Sequence, residues 1–472
     1  MKKGLRVFIS LLVVCCFIVG IAGCGGAAGS SQETKEAVKQ DAATEAPKQE
    51  AAKETSKEKA KPAEPVKLTV WINGRDSYIG PDEQKKPQEE WYISKAFKRF
   101  EAANPGITVE LTVPPDQAEA HQTFKAAGMA KNAPDIANLW TGQNIFNLKE
   151  VIKPLDGLVP KEDLDNLLGW DSVREGFKKD GKILGYPAGD VQLCFFLYNK
   201  KIIKAAGLDF EANPPRTVKD FDEACEKIKK MGATPIVVDE SFPYFYCYLG
   251  VYWWVQATGI DGILKDCAGT SKFVNDKGFI DSLSYYNSLY KKGYVNKDAL
   301  TSADSWNQFL QAKAAMTPQV TSVVNDAVNA MGSDNLGVIK PPEIGDNVSI
   351  KDSTIGGPGQ CLVVSSNCQH PEAAVKLLSF INSKAEVLEF EKVQSKIPLR
   401  KDITLDELGW KEGSIPHKLY GWAKNYTYWV DNSLTPNVQE DFYKQTPLTL
   451  VGKMTPQALA ELLDKKVEKG SK

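Results

Sequence analysis

Apolar positions fall into three regimes along the chain. They are nearly continuous from Val7 to Ile21, shrink to alanines and a single valine from Gly25 to Pro65, and recur with alternating short periods from Lys67 to the end. The first run follows Lys2, Lys3 and Arg6 and is shorter than the ~20 apolar residues that cross a bilayer, so residues 1–23 read as a signal peptide. The second stretch holds no aromatic residue and one branched aliphatic, Val38. It cannot bury enough apolar surface to offset the entropy of ordering, so residues 24–65 read as a polar tether. As a coil, the 41 residues from Gly25 to Pro65 would span about 35 Å.

The third regime carries the fold. Leu68 to Trp71 is short and rich in β-branched and aromatic residues, which predicts a strand. Ile93, Ala96, Phe97 and Phe100 then repeat at helical spacing until Asn104-Pro105-Gly106 stops them, and a second strand is expected from Ile107 to Val113. Strands are predicted again at Asp135 to Leu139, Ile183 to Tyr186 and Pro235 to Val238, with helical patterns between them. Thr217 with Asp220 forms a near capping box before Phe221 to Lys230, and Pro371 opens a helix with Ala374, Leu377, Leu378 and Ile381 on one face. Thr455-Pro456 opens a last helix with an apolar side at Leu459, Leu462, Leu463 and Val467. Strands alternating with helices predict parallel α/β sheets, and 472 residues exceed what one core accommodates. Two α/β lobes are the simplest solution.

Composition narrows the function classes. A formal net charge of -2 gives no footprint for nucleic acid. Six cysteines lie beyond position 24, at Cys194, Cys225, Cys247, Cys267, Cys361 and Cys368, without zinc-ligand spacing; no metal is expected, and the spacing leaves open whether any of them pair. The chain has no H-E-x-x-H, no G-x-S-x-G, no P-loop and no G-x-G-x-x-G after a strand, so nucleophilic, zinc and nucleotide chemistry lack their parts and no cofactor is expected. A glycosidase with paired carboxylates is the enzymatic rival to a binding role. Tyr285-Tyr286 could serve a ferric-ion binder, but both fall inside the helical pattern of Leu283, Tyr286, Leu289 and Tyr290, which favours a core role.

Two resemblances follow. Ile21-Ala22-Gly23-Cys24 resembles the lipobox of bacterial lipoproteins, which implies that Cys24 becomes an acylated N-terminus anchored in membrane lipid on the extracytoplasmic face. From Lys67 to Lys466 the chain resembles the family 1 extracellular solute-binding proteins, the maltose-binding-protein-like group. The segments that carry this are Lys67 to Gly74, FKRFEAANPGITV from Phe97, NAPDIANLW from Asn132, Gly181 to Leu208 followed by PPRTVKDF, FLQAKAAM from Phe309, Ile355 to Ser383, and IPLRKD from Ile397. The resemblance implies a type II periplasmic-binding-protein-like fold with three hinge crossings, near Gly189, Thr354 and Arg400. One lobe would comprise residues 66–188 plus 355–400, the other 189–354 plus 401–472. It implies a monomer that captures a carbohydrate by hinge closure for the permease subunits of an ABC transporter. A non-sugar solute, or a sensor working through a membrane receptor, is the alternative. One departure stands out: maltose-binding protein has Gly-Pro-Trp, with a sugar-stacking Trp, where this chain reads Thr317-Pro318-Gln319-Val320-Thr321.

Candidate contacts come from the positions just beyond strands, where open parallel sheets place their ligands. A sugar needs flat aromatic faces for its C–H surfaces and planar polar groups for its hydroxyls. The strand ends supply Trp71, Asn73, Arg75, Asp76, Trp140, Thr141, Asp190, Glu240 and Phe242, with Trp140 the foremost stacking platform. Trp254 belongs to an aromatic-dense run from Phe242 whose periodicity also fits a core helix, and Gly357 lies in the segment from Ile355. Tyr443 answers to the C-terminal aromatic that the family commonly contributes from its second lobe.

Overall fold

The computed structural model describes residues 64–72, 78–79, 82–114, 119–394 and 396–470. Among the described residues ten strands appear in chain order: β1 (Val66–Trp71), β2 (Ile107–Thr112), β3 (Ile136–Trp140), β4 (Tyr186–Pro187), β5 (Gln192–Asn199), β6 (Thr234–Ile236), β7 (Ala314–Val320), β8 (Leu336–Ile339), β9 (Gly356–Gly357) and β10 (Gln360–Val364). They form two sheets, ordered β2-β1-β3-β10-β4 and β6-β7-β5-β8, with β9 paired to β5. In each sheet one strand runs against the rest: β10 is antiparallel to β3 and β4, and β5 is antiparallel to β7 and β8. Both counter-running strands enter their sheet straight from the other one, which fixes their direction.

Each sheet is covered on both faces. In the first, Leu68, Val70, Leu362 and Val364 pack against the helices Tyr92–Ala103 and Pro371–Ile381, while Ala137, Leu139, Cys361 and Val363 face Phe124 and Ile145. In the second, alternate residues of β5 feed opposite layers: Cys194, Phe196 and Tyr198 on one side, Leu193, Phe195 and Leu197 on the other. This period-two division places an unbroken apolar run within a doubly covered sheet. The strand β7 tolerates Pro318 because Met316 O faces β6, accepting from Val237 N at 3.0 Å, so Pro318 faces the same way, beyond the end of β6 at Ile236.

The chain passes between the sheets at three places. Ala188 packs with the first sheet and Val191 with the second; Ile355 packs with the second and Leu362 with the first; Phe390 packs with the first and Ile397 and Leu399 with the second. Backbone bonds tie these passages together, Val191 N to Ile397 O at 2.9 Å and Cys194 N to Ile355 O at 2.9 Å. The buried Arg400 reaches back to Asp402 at 2.8 Å and to Asn382 O at 2.9 Å. Helix starts match their sequence signals: Thr217 and Asp220 complete a reciprocal capping box for Val218–Lys230, and Pro371 and Pro456 open their helices. The six cysteines beyond position 24 are buried free thiols.

Candidate functional site

Beyond the carboxyl ends of β6 and β7 lies a hollow of about 310 Å³, lined by Asp239, Tyr244, Tyr248, Thr317, Gln319 and Ser322 among others. Its volume falls at the lower end of the range for small-molecule sites. One wall continues into a row of rings. Tyr443 lies 4.6 Å from Phe242, Phe242 4.7 Å from Tyr244, Tyr244 5.4 Å from Tyr248, and Tyr248 6.2 Å from Trp429, centroid to centroid.

The local sequence explains this exposure. Tyr246–Gly250 is a π-helical turn leading into the helix Val251–Thr258, and its wider winding breaks the 3.6-residue repeat. Tyr246 and Tyr252 are therefore buried, while Tyr248 is half-buried and Tyr244 is 42% exposed. Gly250 permits the turn: a Cβ there would sit 2.3 Å from the Tyr246 ring.

On the first sheet, Trp71 and Trp140 end adjacent parallel strands. Trp140 is half-buried, its ring 5.3 Å from that of His121, and its N–H donates to His121 Nε2 at 2.9 Å. Burial pushes His121 down to about 4, so its nitrogen stays an acceptor at neutral pH.

The remaining expected residues separate clearly. Phe242 and Tyr443 belong to the ring row. Gly357, at φ +96°, accepts from Trp429 Nε1 at 3.2 Å, and a Cβ there would sit 2.5 Å from Tyr426. Asp190 is buried at the first passage and accepts from the Gln192 amide. Asn73, Arg75 and Asp76, like Cys24, lie outside the described residues.

Three expectations need correction. Trp254 is fully buried; its Nε1 donates to Asp276 at 2.6 Å and its ring packs on Phe273 and Phe279, because the helical face it shares points into the core. Glu240 borders the hollow, but both carboxylate oxygens are engaged inside, by Phe245 N at 2.7 Å and by the Tyr286 hydroxyl. Burial pushes Glu240 up to about 8. Thr141 is buried, with its N–H on Gly359 O at 3.2 Å and its hydroxyl accepting from Asn432 at 3.3 Å. The paired tyrosines part company: Tyr286 serves Glu240 in the core, and Tyr285 donates to Asp222 at 3.2 Å. Among the described residues no group of three or more His, Cys, Asp or Glu could hold a metal ion, and no helix is long and apolar enough to cross a membrane. Asp239 stands just beyond β6, Tyr244 and Tyr248 sit in an aromatic run where the π-helical turn selects the exposed members, and Trp429 precedes the turn Val430–Ser433.

Two covered sheets joined by three passages, with a ring-lined hollow beyond the strand ends, define a two-lobed binding protein. The chain belongs to the bacterial extracellular solute-binding proteins, whose family pattern matches residues 95–416. It is similar to an uncharacterized ABC transporter extracellular-binding protein of Pyrococcus horikoshii, 27% identical over 216 residues, 44% of this chain and 45% of that one. Its fold matches a chitin oligosaccharide binding protein with a TM-score of 0.70 at 22% identity, covering 86% of this chain and 98% of the other. It also matches the sugar-binding protein MalE from Xanthomonas citri with a TM-score of 0.67 at 18% identity, covering 86% and 97%.

Proposed function

We propose that this chain is the extracytoplasmic substrate-binding protein of an ABC importer, that acylated Cys24 anchors it, and that it captures an oligosaccharide between two lobes. The ring row from Tyr443 through Phe242, Tyr244 and Tyr248 to Trp429 carries the reading. Extended aromatic walls suit the alternating C–H faces of a sugar chain, and Asp239, Thr317, Gln319 and Ser322 offer its hydroxyls donors and acceptors. The sugar-binding names of the structural neighbours and the transporter name of the archaeal relative point the same way. In this reading the lobes comprise residues 66–188 with 355–400 and 189–354 with 401–472, Trp71 and Trp140 face the ligand from the first lobe, and the protein acts as a monomer without cofactor or catalysis.

The test is a thermal-shift panel of mono- and oligosaccharides, with amino acids, polyamines and ferric citrate as controls. A sugar at 100 times its dissociation constant adds about 2.7 kcal/mol to the native state. Stabilisation by one group of sugars supports the reading. Stabilisation by a control solute alone removes the carbohydrate assignment while keeping the receptor.

A further inference from the structure

The segment Tyr426 to Ser433 connects the two sheets in a way that binding alone does not require. Val430 and Leu434 are rooted in the core beneath the second sheet, alongside Cys194, Phe196 and Phe442. Thr141 and Asn144 follow directly on β3 of the first sheet, and their neighbours Ile145 and Phe146 pack in its core.

Between these two bodies runs a buried set of polar bonds. The Asn432 amide donates to Thr141 Oγ1 at 3.3 Å, and its Oδ1 accepts from Asn144 Nδ2 at 3.3 Å and from Gln439 Nε2 at 3.3 Å. Thr141, Asn144, Asn432 and Gln439 are all buried. Gly142 makes the approach possible: at φ +69°, a Cβ would stand 2.5 Å from Asn432 O. Beside it Phe177, from the first-sheet side, stacks on Tyr428 at 4.7 Å with the ring planes 9° apart.

The same segment touches the ring row. Tyr443 donates to Asp431 Oδ2 at 2.5 Å, and Gln439 Nε2 donates to Asp431 O at 3.0 Å while also reaching Asn432. A continuous bonded path therefore joins a ring of the candidate cleft to the loop that follows β3. Buried amide and hydroxyl groups are costly when separated from their partners, so such a contact has one favoured arrangement rather than a sliding range.

We propose that Asn432, bonded to Thr141 and Asn144, is a latch that holds the two lobes in the relation seen here and thereby sets the affinity of the cleft without touching the ligand. The proposal rests on the two-lobed capture reading. It makes Asn432 and Thr141 positioning residues, and it gives the conformation-dependent contacts that a ligand-driven closure needs a definite location.

The test uses the exported full chain carrying Cys24→Ala, with spin labels at Lys98→Cys and Lys227→Cys, both exposed and on opposite lobes, while the six native thiols beyond position 24 are buried. The variants are Asn432→Ala, Thr141→Val and Thr141→Ser. Asn432→Ala and Thr141→Val should lengthen the label-to-label distance and weaken binding of chitotetraose or maltotetraose about 10-fold, a typical coupling between sites. Thr141→Ser, which keeps the hydroxyl, should behave as the parent does. Unchanged distances in both disruptive variants, or equal lengthening in Thr141→Ser, would overturn the latch. If neither sugar binds the parent chain, the carbohydrate reading fails, and the distance measurement still decides on the latch.

Discussion

The backbone N–H of Trp140 donates 2.9 Å to Nε2 of His121, with the two rings 5.3 Å apart. A strand-end tryptophan is thus fixed in direction by a histidine that must stay neutral. His121 titrates near 4 in the folded protein against an ordinary 6.5, so between these values the unfolded chain binds more protons. The stabilisation is complete above pH 6.5 and is lost as pH falls toward 4. In urea unfolding, His121→Gln, whose amide oxygen can also accept, should lose less stability than the parent between pH 7 and 4.5.

Replacing the platform itself separates binding from folding. Trp140→Ala should weaken sugar binding by about 1–3 kcal/mol, the scale of a lost packed aromatic contact. Tyr244→Ala, at the exposed middle ring of the row, should do the same with little change in melting temperature. Unaltered affinity in a titration of either variant would remove that residue from the site.

Glu240 has the opposite sign. Its folded value near 8 exceeds the ordinary 4.5, so the native state binds the extra proton between those limits and its contribution to stability falls as pH rises through the window. Glu240→Gln keeps an acceptor while removing the titration. Its stability should fall less than the parent's from pH 5 to pH 8, and parallel curves would show that the buried carboxyl does not govern this range.

Much of the architecture was legible because it rests on local chemistry. The strand at Val66–Trp71, the stop at Asn104, the capping box at Thr217 and the helix opened by Pro371 follow from spacing and capping alone. Glu240, Thr141 and Trp254 were not legible in their true roles: each stands in or near a position that favours ligand contact, and each is turned inward by a partner distant in sequence, Tyr286, Asn432 and Asp276 respectively. Tyr244 and Tyr248 lie in a run that periodicity divides between cleft and core, and a π-helical turn resets the face that helical periodicity assigns.

Arg400 is a fully buried cation held by Asp402 and Asn382 O, with Asp163 at 3.6 Å. Arg400→Met would leave acidic groups without their counter-charge, and breaking a buried pair on one side costs about 3–5 kcal/mol. Urea unfolding should show a loss of that size, and a loss below 1 kcal/mol would mean that water replaces the guanidinium.

Cys24→Ala tests the anchor apart from the fold. After export the variant should leave the membrane fraction and appear soluble, with sugar affinity unchanged. Retention in the membrane would refute the lipobox assignment.

Calorimetric titration of the protein with a series of oligosaccharides, followed by analysis of the recovered sugar, separates capture from catalysis. The expected result is saturable binding of one sugar to one protein, weakened in Tyr244→Ala, with the sugar recovered intact. Cleavage of the recovered sugar, or heats that do not saturate with any saccharide while another solute binds, would contradict it.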